Sequence, residues 1–201
     1  MKLYMSANSP YVRMVRVLLR EAGRASEVEE IELNPRDAST GFWSANPVAR
    51  IPALQLADGT VLAESALICA YLDKELADGR FFAPLHADVR RLALFGLIQG
   101  MLDRGVAART EKTRPGAPDT KTVIDTQLAG VIRVADALER TAADGIGEVD
   151  MVDIACGCAM SWIQFRHPEL DVLSARPRLA NWCSQMESRP SLATTRPTAT
   201  P

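Results

Sequence analysis

Every stretch of this chain that reads as β-strand lies within the first 76 residues, and no convincing strand follows them. The chain therefore reads as a mixed strand-and-helix domain followed by an all-helical one. Lys2-Leu3-Tyr4-Met5 forms a short strand signal. Ser9-Pro10 then opens a helix, with serine at the N-cap and proline at the first helical position. Val12, Val15, Leu19 and Ala22 recur at helical spacing up to Gly23, a natural stop. Ile31 and Leu33 alternate with acids as a second strand ended by Asn34-Pro35. Phe42 to Arg50 is irregular, with a turn at Asn46-Pro47. Ala53-Leu54-Gln55-Leu56 and Thr60-Val61-Leu62-Ala63 flank Asp58-Gly59, a strong hairpin signal. Glu64-Ser65 opens a further helix carrying Leu67, Ile68, Tyr71, Leu72 and Leu76. The order is β-α-β, a turn region, then β-β-α.

Asp78-Gly79 and Pro84 mark a linker over 77–86, leaving domains at 1–76 and 87–201. Leu92, Phe95, Ile98, Leu102 and Val106 fit a long helix, broken at Arg114-Pro115-Gly116-Ala117-Pro118. Ile124, Leu128, Val131, Ala135 and Leu138 form a sustained helical seam. After a loop at Gly145 to Glu148, one helix carries Met151, Ile154, Ala155, Cys158 and Trp162, and a last one Leu179, Trp182 and Met186. Residues 190–201 are rich in Thr, Pro and Ala and are expected to be poorly ordered. No internal repeat is present.

A net charge of −2 with pI near 5.8 argues against a nucleic-acid binder. No apolar run approaches the roughly 20 residues needed to span a bilayer, and no secretory pattern opens the chain, so the expected location is the cytoplasm. Cys69, Cys156, Cys158 and Cys183 are too sparse for a disulfide scaffold and sit in apolar helical stretches, as buried reduced thiols do. Cys156-Gly157-Cys158 does not make a metal site: two cysteines one apart on a helix diverge, and His86 and His167 are remote in sequence.

Three short segments carry chemistry. A hydroxyl at Ser9 would lie among the first backbone N–H groups of a helix and its positive dipole end, where a thiolate is stabilised. A free thiol with pKa about 8.5 is only roughly 3% ionised at pH 7, and lowering that value by about two units takes roughly 2.7 kcal/mol. Taken alone, Ser9 is the commoner thing, a helix cap. Ile51-Pro52 precedes a strand; a cis bond there would turn the Ile51 N–H and C=O toward an extended peptide, whereas base rates alone favour trans. Glu64-Ser65 combines a hydroxyl and a helix N-terminus with a carboxylate, a pairing that suits the carboxylate and ammonium of an α-amino acid; taken alone it is as readily a capping pair. Asp150 and Asp153 read as a structural capping box.

Set in order, Ser-Pro-Tyr-Val-Arg (Ser9 to Arg13), Asn-Pro-Val-Ala-Arg-Ile-Pro-Ala-Leu (Asn46 to Leu54), Asp58-Gly59 and Glu64-Ser65-Ala66-Leu67-Ile68 with Tyr71-Leu72 resemble a cytosolic glutathione S-transferase. The resemblance implies an α/β thioredoxin-like first domain, an all-α helical bundle as the second, and a homodimer. It implies glutathione as co-substrate, a small electrophilic partner substrate, and neither metal nor other cofactor. By resemblance Ser9 activates the thiol, Ile51 before cis-Pro52 pairs with the cysteinyl unit, Glu64 and Ser65 take the γ-glutamyl end, and Arg50, in place of the usual Lys, meets the glycyl carboxylate. Ser6, Asn8 and Tyr4 stand in reserve as thiol activators. Asn8, Met101, Arg104 and Ala108 are expected at the electrophile site, with a core Met101 and a solvated Arg104 as the alternative. Ala49 departs from the glycine usual before that Lys, which restricts the loop, and Asp150 from the usual Ser or Thr cap. A serine rather than a cysteine at position 9 argues for conjugation or isomerisation over disulfide chemistry. A dehalogenase or a non-catalytic binding protein on the same fold are the alternatives.

Overall fold

The computed structural model describes residues 1–114, 120–142 and 147–198. The break expected at Pro115–Pro118 and the start of the loop at Gly145 lie outside them. In chain order the elements are β1 (Lys2–Met5), α1 (Pro10–Glu21), β2 (Glu29–Glu32), α2 (Phe42–Ala45), β3 (Ala53–Gln55), β4 (Val61–Ala63), α3 (Ser65–Ala77), α4 (Ala83–Ala87), α5 (Val89–Lys112), α6 (Lys121–Thr141), α7 (Met151–Arg166), α8 (Pro177–Glu187) and α9 (Pro190–Ala193). The chain divides into two compact units, one of Met1–Pro84 with the segment from Pro190 onward, the other of Leu85–Arg189.

The first unit is built on a four-stranded sheet in the order β2-β1-β3-β4. β1 runs parallel to β2 and antiparallel to β3, which is antiparallel to β4. This is the thioredoxin-like arrangement. Alternation along β1 sends Leu3 and Met5 inward, and Leu3 lies opposite Leu54. Val12, Val15, Leu19, Ile68 and Leu72 of α1 and α3, which pack on each other, complete the core. On the opposite face of the sheet the Tyr4 ring packs on Phe42, 5.4 Å between centroids, and its hydroxyl donates to Gln55 Oε1 at 2.9 Å. β2 is an acidic edge strand, which discourages pairing with another chain. Its Glu30 accepts from Arg16 (3.0 Å) and Arg20 (3.2 Å), which neutralises two of the three arginines of α1. The hairpin closes with Gly59 at φ 90°, a backbone state that glycine adopts without strain.

The segment read as a linker, 77–86, is anchored at its start. The Asp73 carboxylate accepts both the Phe81 N–H (3.0 Å) and the Phe82 N–H (2.8 Å), and both rings are buried. A buried carboxylate holding two backbone donors fixes the chain where it leaves α3. The expectation of a poorly ordered tail needs correction as far as Thr198. Among its described residues α9 forms, Ser191, Leu192 and Thr195 are buried, and the chain lies along α1. Arg13, only 2% exposed, donates from Nε to Thr195 Oγ1 (3.3 Å) and from one terminal nitrogen to the Leu192 carbonyl (3.0 Å). Composition suggested disorder because it registers few apolar residues; it does not register a buried guanidinium that the backbone and hydroxyls of this segment solvate.

The second unit is a helical bundle in which α5 packs on α6 and α7, and α8 on α6 and α7. α7 is buried from Met151 to Met160. Its N-terminus has the expected capping box: Asp150 accepts from Val152 N–H (2.8 Å) and Asp153 N–H (3.2 Å), and Asp153 accepts from Asp150 N–H (3.0 Å). Asp153 also takes the Trp182 indole N–H at 2.9 Å, and Arg91 reaches Asp150 at 2.5 Å. Burial pushes the Asp153 carboxyl above its usual range, and the neighbouring Asp150 adds to this. Gly105 lets α5 approach α7 closely, since a Cβ there would meet Trp162 at 3.3 Å. All four cysteines are free and buried, as expected, and Cys156 is pushed well up by Cys183 beside it and by burial.

His167 ends α7 with its side chain sealed from solvent. Nε2 is 2.9 Å from the Gly105 carbonyl and Nδ1 2.9 Å from Lys112 Nζ, which also pairs with Glu169. The neutral ring satisfies both contacts, donating at Nε2 and accepting at Nδ1. Burial, with Lys112 and Arg109 nearby, lowers the His167 pKa against the opposing pull of Gly105 and Glu169. The unfolded chain then binds the proton more readily than the folded one. His167 thus contributes stability that is present above the unfolded value of about 6.5 and is lost as pH falls through its lower folded value. Urea melts at pH 7.5, 6.5 and 5.5 should show stability falling across this window, and the fall should be shallower in His167→Gln.

Candidate functional site

The strand register brings the three chemically suggestive segments to one end of the sheet. Tyr4 pairs with Ala53, and Ala53 with Ala63. The C-terminal end of β1, the N-terminal end of β3 and the C-terminal end of β4 therefore line one edge of the first unit. Ser6 to Ser9 continues from the first, Ile51-Pro52 enters the second, and Glu64-Ser65 leaves the third. Neighbouring strands are about 4.8 Å apart, so this edge measures about 10 Å from β1 to β4. A tripeptide lying extended spans about 10 Å as well.

Helices α1 and α3 both start from this edge, and their N-termini differ in one respect. Ser9 caps α1 in the extended conformation, its Oγ accepting from Val12 N–H at 3.3 Å. The main chain around it is tied on both sides, Ser9 N–H to the Ser6 carbonyl and Arg13 N–H to the Ser9 carbonyl, each at 3.0 Å. Cap and thiol activator are not exclusive readings, because a hydroxyl that accepts from the backbone still has its proton to donate. No side chain caps α3. Glu64 stands at its N-cap position with φ 70° and ψ 120°, a conformation costly for a non-glycine residue, about 1–3 kcal/mol. The Glu64 side chain is exposed, Ser65 is buried at 4% exposure, and the Ser65 hydroxyl makes no hydrogen bond among the described residues. The capping-pair reading of Glu64-Ser65 is therefore set aside: neither side chain caps α3, and Glu64 is held in a strained conformation.

The Ile51–Pro52 bond is cis. Pro52 is buried and Ile51 half-buried, and the Ile51 main chain makes no hydrogen bond among the described residues. The loop ahead of it is braced by a side chain that the sequence marked only as a turn residue. Asn46, buried, accepts from Val48 N–H (3.2 Å) and donates to the Arg50 carbonyl (2.8 Å), which leaves the Arg50 side chain exposed. Asn-Pro at a turn was the visible signal; the bond across four residues is what makes it a brace. Ala49 within this loop has φ 54°, so the residue that replaces the usual glycine is held in the left-handed region.

The reserve candidates fare differently. The Tyr4 proton is committed to Gln55. Asn8 Oδ1 accepts the Thr198 N–H at 2.9 Å, and Ser6 enters through its carbonyl. In the second unit Met101 and Ala108 have no exposed surface, so neither presents a face to a ligand and Met101 is a core residue. Arg104 is half-buried: it donates to Gln127 at 3.2 Å, and its side chain covers Gly130, where a Cβ would lie 2.4 Å from it. Helical spacing grouped these three on one side of α5 without revealing that α6 and α7 pack against that helix. Among the described residues no group of three or more His, Cys, Asp or Glu is arranged to hold a metal, and no helix is long and apolar enough to cross a membrane.

Family models match both parts of the chain: the glutathione S-transferase N-terminal domain over residues 8–75 and the C-terminal domain over residues 121–184. Among solved structures, a glutathione transferase family member from Pseudomonas fluorescens with bound glutathione is 32% identical, with TM-score 0.85 over 98% of this chain and 99% of that one. A glutathione S-transferase from Methylobacillus flagellatus with glutathione bound is 30% identical, with TM-score 0.89 over 98% of this chain and 99% of that one. The uncharacterized GST-like protein YibF of Escherichia coli is 29% identical over 98% of each chain.

The left-handed Ala49 yields a direct test. Replacing it by glycine removes a strain of about 1–2 kcal/mol at the expense of about 0.5–1 kcal/mol in unfolded-chain entropy. Ala49→Gly should therefore raise the melting temperature by about 1–4 °C, read by calorimetry. An unchanged or lower melting temperature would mean that the loop holds Ala49 without strain.

Proposed function

The chain belongs to the glutathione S-transferase family, and on that premise we propose that it binds glutathione along the strand edge of its first unit and uses Ser9 to keep the thiol ionised for transfer to a small apolar electrophile. The bare N-terminus of α3 carries this reading. A helix end that no side chain caps, with a strained residue at its N-cap and a serine hydroxyl that makes no hydrogen bond among the described residues, suits an anion supplied from outside the chain. The γ-glutamyl carboxylate meets Ser65 and the first N–H groups of α3, and its ammonium meets the Glu64 carboxylate. The cysteinyl unit pairs with the Ile51 main chain ahead of Pro52, and the Arg50 guanidinium reaches the glycyl carboxylate. Solved relatives described as holding glutathione support the ligand.

The chemistry is stabilisation of a sulfur anion. The Ser9 O–H donates to the thiolate while the dipole of α1, a helix of 12 residues, favours negative charge at the same end. The thiol proton leaves to solvent. The sulfur lone pair then forms the new S–C bond at the electrophile, which either takes up the charge by addition or expels its leaving group. A thiol-disulfide exchange is disfavoured, because position 9 is serine and the four cysteines are buried. Four free thiols and the lack of a membrane-crossing helix among the described residues fit a reducing, cytoplasmic setting.

The ultraviolet absorbance of thiolate, titrated against pH with glutathione bound, tests the reading. The bound thiol should ionise well below the free value of about 8.5, and Ser9→Ala should return most of that shift. Binding with an unshifted thiol would instead mark a non-catalytic glutathione-binding protein.

We further propose a homodimer that uses the outer face of α5. Val89 and Leu92 are exposed there beside Gly96 and Gly100, at positions that share one side of the helix. Sedimentation should give the mass of a dimer, and Leu92→Glu should shift it to monomer; a wild-type protein that sediments as a monomer would exclude this face.

A further inference from the structure

The buried thiols Cys156 and Cys183 are neighbours, but nothing besides their protonation behaviour suggests a role. The cluster of His167, Lys112 and Glu169 is satisfied within the second unit.

The segment from Pro190 to Thr198 is different, because it is bonded to residues on both sides of Ser9. Ahead of Ser9, Asn8 Oδ1 accepts the Thr198 N–H at 2.9 Å. One turn after it, Arg13 donates to Leu192 O and Thr195 Oγ1. Arg13 N–H in turn holds the Ser9 carbonyl at 3.0 Å. Farther along α1, Ser191 donates to the Glu21 carboxylate, and Thr195 Oγ1 donates to the Ser191 carbonyl at 2.8 Å, which keeps α9 in one register along the helix. Arg13, Leu192, Thr195 and Ser191 are all buried in this contact. A guanidinium withdrawn from water requires such partners, so the segment is fixed against α1. The short turn Ser6–Ser9 is closed by the Ser9 N–H to the Ser6 carbonyl.

We propose that the C-terminal segment is a positioning strap for Ser9: it fixes the Asn8 side of the turn through Thr198 and the first turn of α1 through Arg13, and so sets the direction in which the Ser9 hydroxyl donates. Asn8, Arg13 and Thr198 are positioning residues; none of them needs to touch the sulfur. The proposal rests on the reading of Ser9 as thiol activator. An O–H···S⁻ bond depends steeply on direction, so a turn that drifts loses thiolate stabilisation before it loses glutathione.

Removing only the Thr198 donor is the cleanest perturbation. Thr198→Pro deletes the N–H at an exposed position that already follows Pro197, and Thr198→Ala keeps it. A chain ended after Thr195 removes the Asn8 contact while keeping both partners of Arg13. Thr198→Pro and the shortened chain should each lower the ionisation constant of the bound thiol about three- to ten-fold relative to Thr198→Ala, the worth of one directed hydrogen bond, read as a titration midpoint about 0.5–1 pH unit higher. Glutathione affinity at low pH, where the thiol is neutral in every variant, should change less than about two-fold. In a Ser9→Ala background the same strap changes should have no further effect on the thiol. Identical thiol titrations in Thr198→Pro and Thr198→Ala would overturn the strap, and so would an equal loss in the Ser9→Ala background. If the full chain binds no glutathione, the functional reading itself falls. The strap is then judged by amide exchange at Val12 and Arg13, whose N–H groups bond to Ser9: faster exchange in Thr198→Pro supports it, and unchanged exchange overturns it.

Discussion

The pairing of β1 with β3, Leu3 opposite Leu54 and Tyr4 opposite Ala53, is the constraint on which the rest of the first unit depends. Side chains alternate along a strand, so a slip of one residue would turn Leu3 and Met5 out of the core and Tyr4 into it. The same slip would displace Ile51 by one residue along the edge where β1 gives way to Ser9. Burying Leu3 and Leu54 completely therefore also aligns the ends of three strands. Core packing and site geometry are here one requirement. This explains how strands of only three and four residues can hold a site in place. Their register is set by fully buried side chains on one face and by the Tyr4–Gln55 bond and the Tyr4–Phe42 ring contact on the other.

The two helix N-termini at that edge illustrate a division between stability and function. α1 is capped from within by Ser9, the ordinary way to satisfy a helix start. α3 has no cap and carries Glu64 in a strained conformation, although Ser, Thr, Asp or Asn at that position would cap it and save about 1 kcal/mol. A fold under selection for stability alone would not leave both defects at one residue. On the proposed function, an outside carboxylate would satisfy the bare N–H groups, and part of the binding energy would offset strain already present in the unliganded chain.

How much of this was legible in the sequence depended on the range of the interaction. Signals confined to a few residues read correctly: the Asp58-Gly59 hairpin, the Ser9-Pro10 helix start, and the Asp150–Asp153 capping box. The cis bond at Ile51–Pro52 came from the family resemblance, because no local feature distinguishes it from the commoner trans form. Contacts over long range were not legible. The partners of Arg13 lie 179 and 182 residues away, and a basic residue on a helix beside Arg16 and Arg20 reads as a solvated face. Met101, Arg104 and Ala108 share a side of α5, but spacing within one helix does not say which side its neighbours cover. The Asp73 carboxylate likewise gave no sign that it would take two backbone donors eight and nine residues on.

The fate of the C-terminal residues bears on how a low-complexity sequence should be weighed. Few apolar side chains means little hydrophobic gain to set against ordering, and on composition alone the segment should fray. What orders it lies in α1. A guanidinium buried at position 13 is severely penalised unless acceptors surround it, and the segment supplies a carbonyl and a hydroxyl, with Leu192 filling the apolar space alongside. The dependence runs in both directions: Arg13 without Leu192 and Thr195 would be a buried charge short of acceptors, and the segment without Arg13 would lose two of its bonds to α1. Such mutual need is local to α1, and α1 begins at Ser9. The ordering of the chain's end is thus coupled to the helix that Ser9 caps, and a substitution at Thr195 would act on that turn from the opposite end of the sequence.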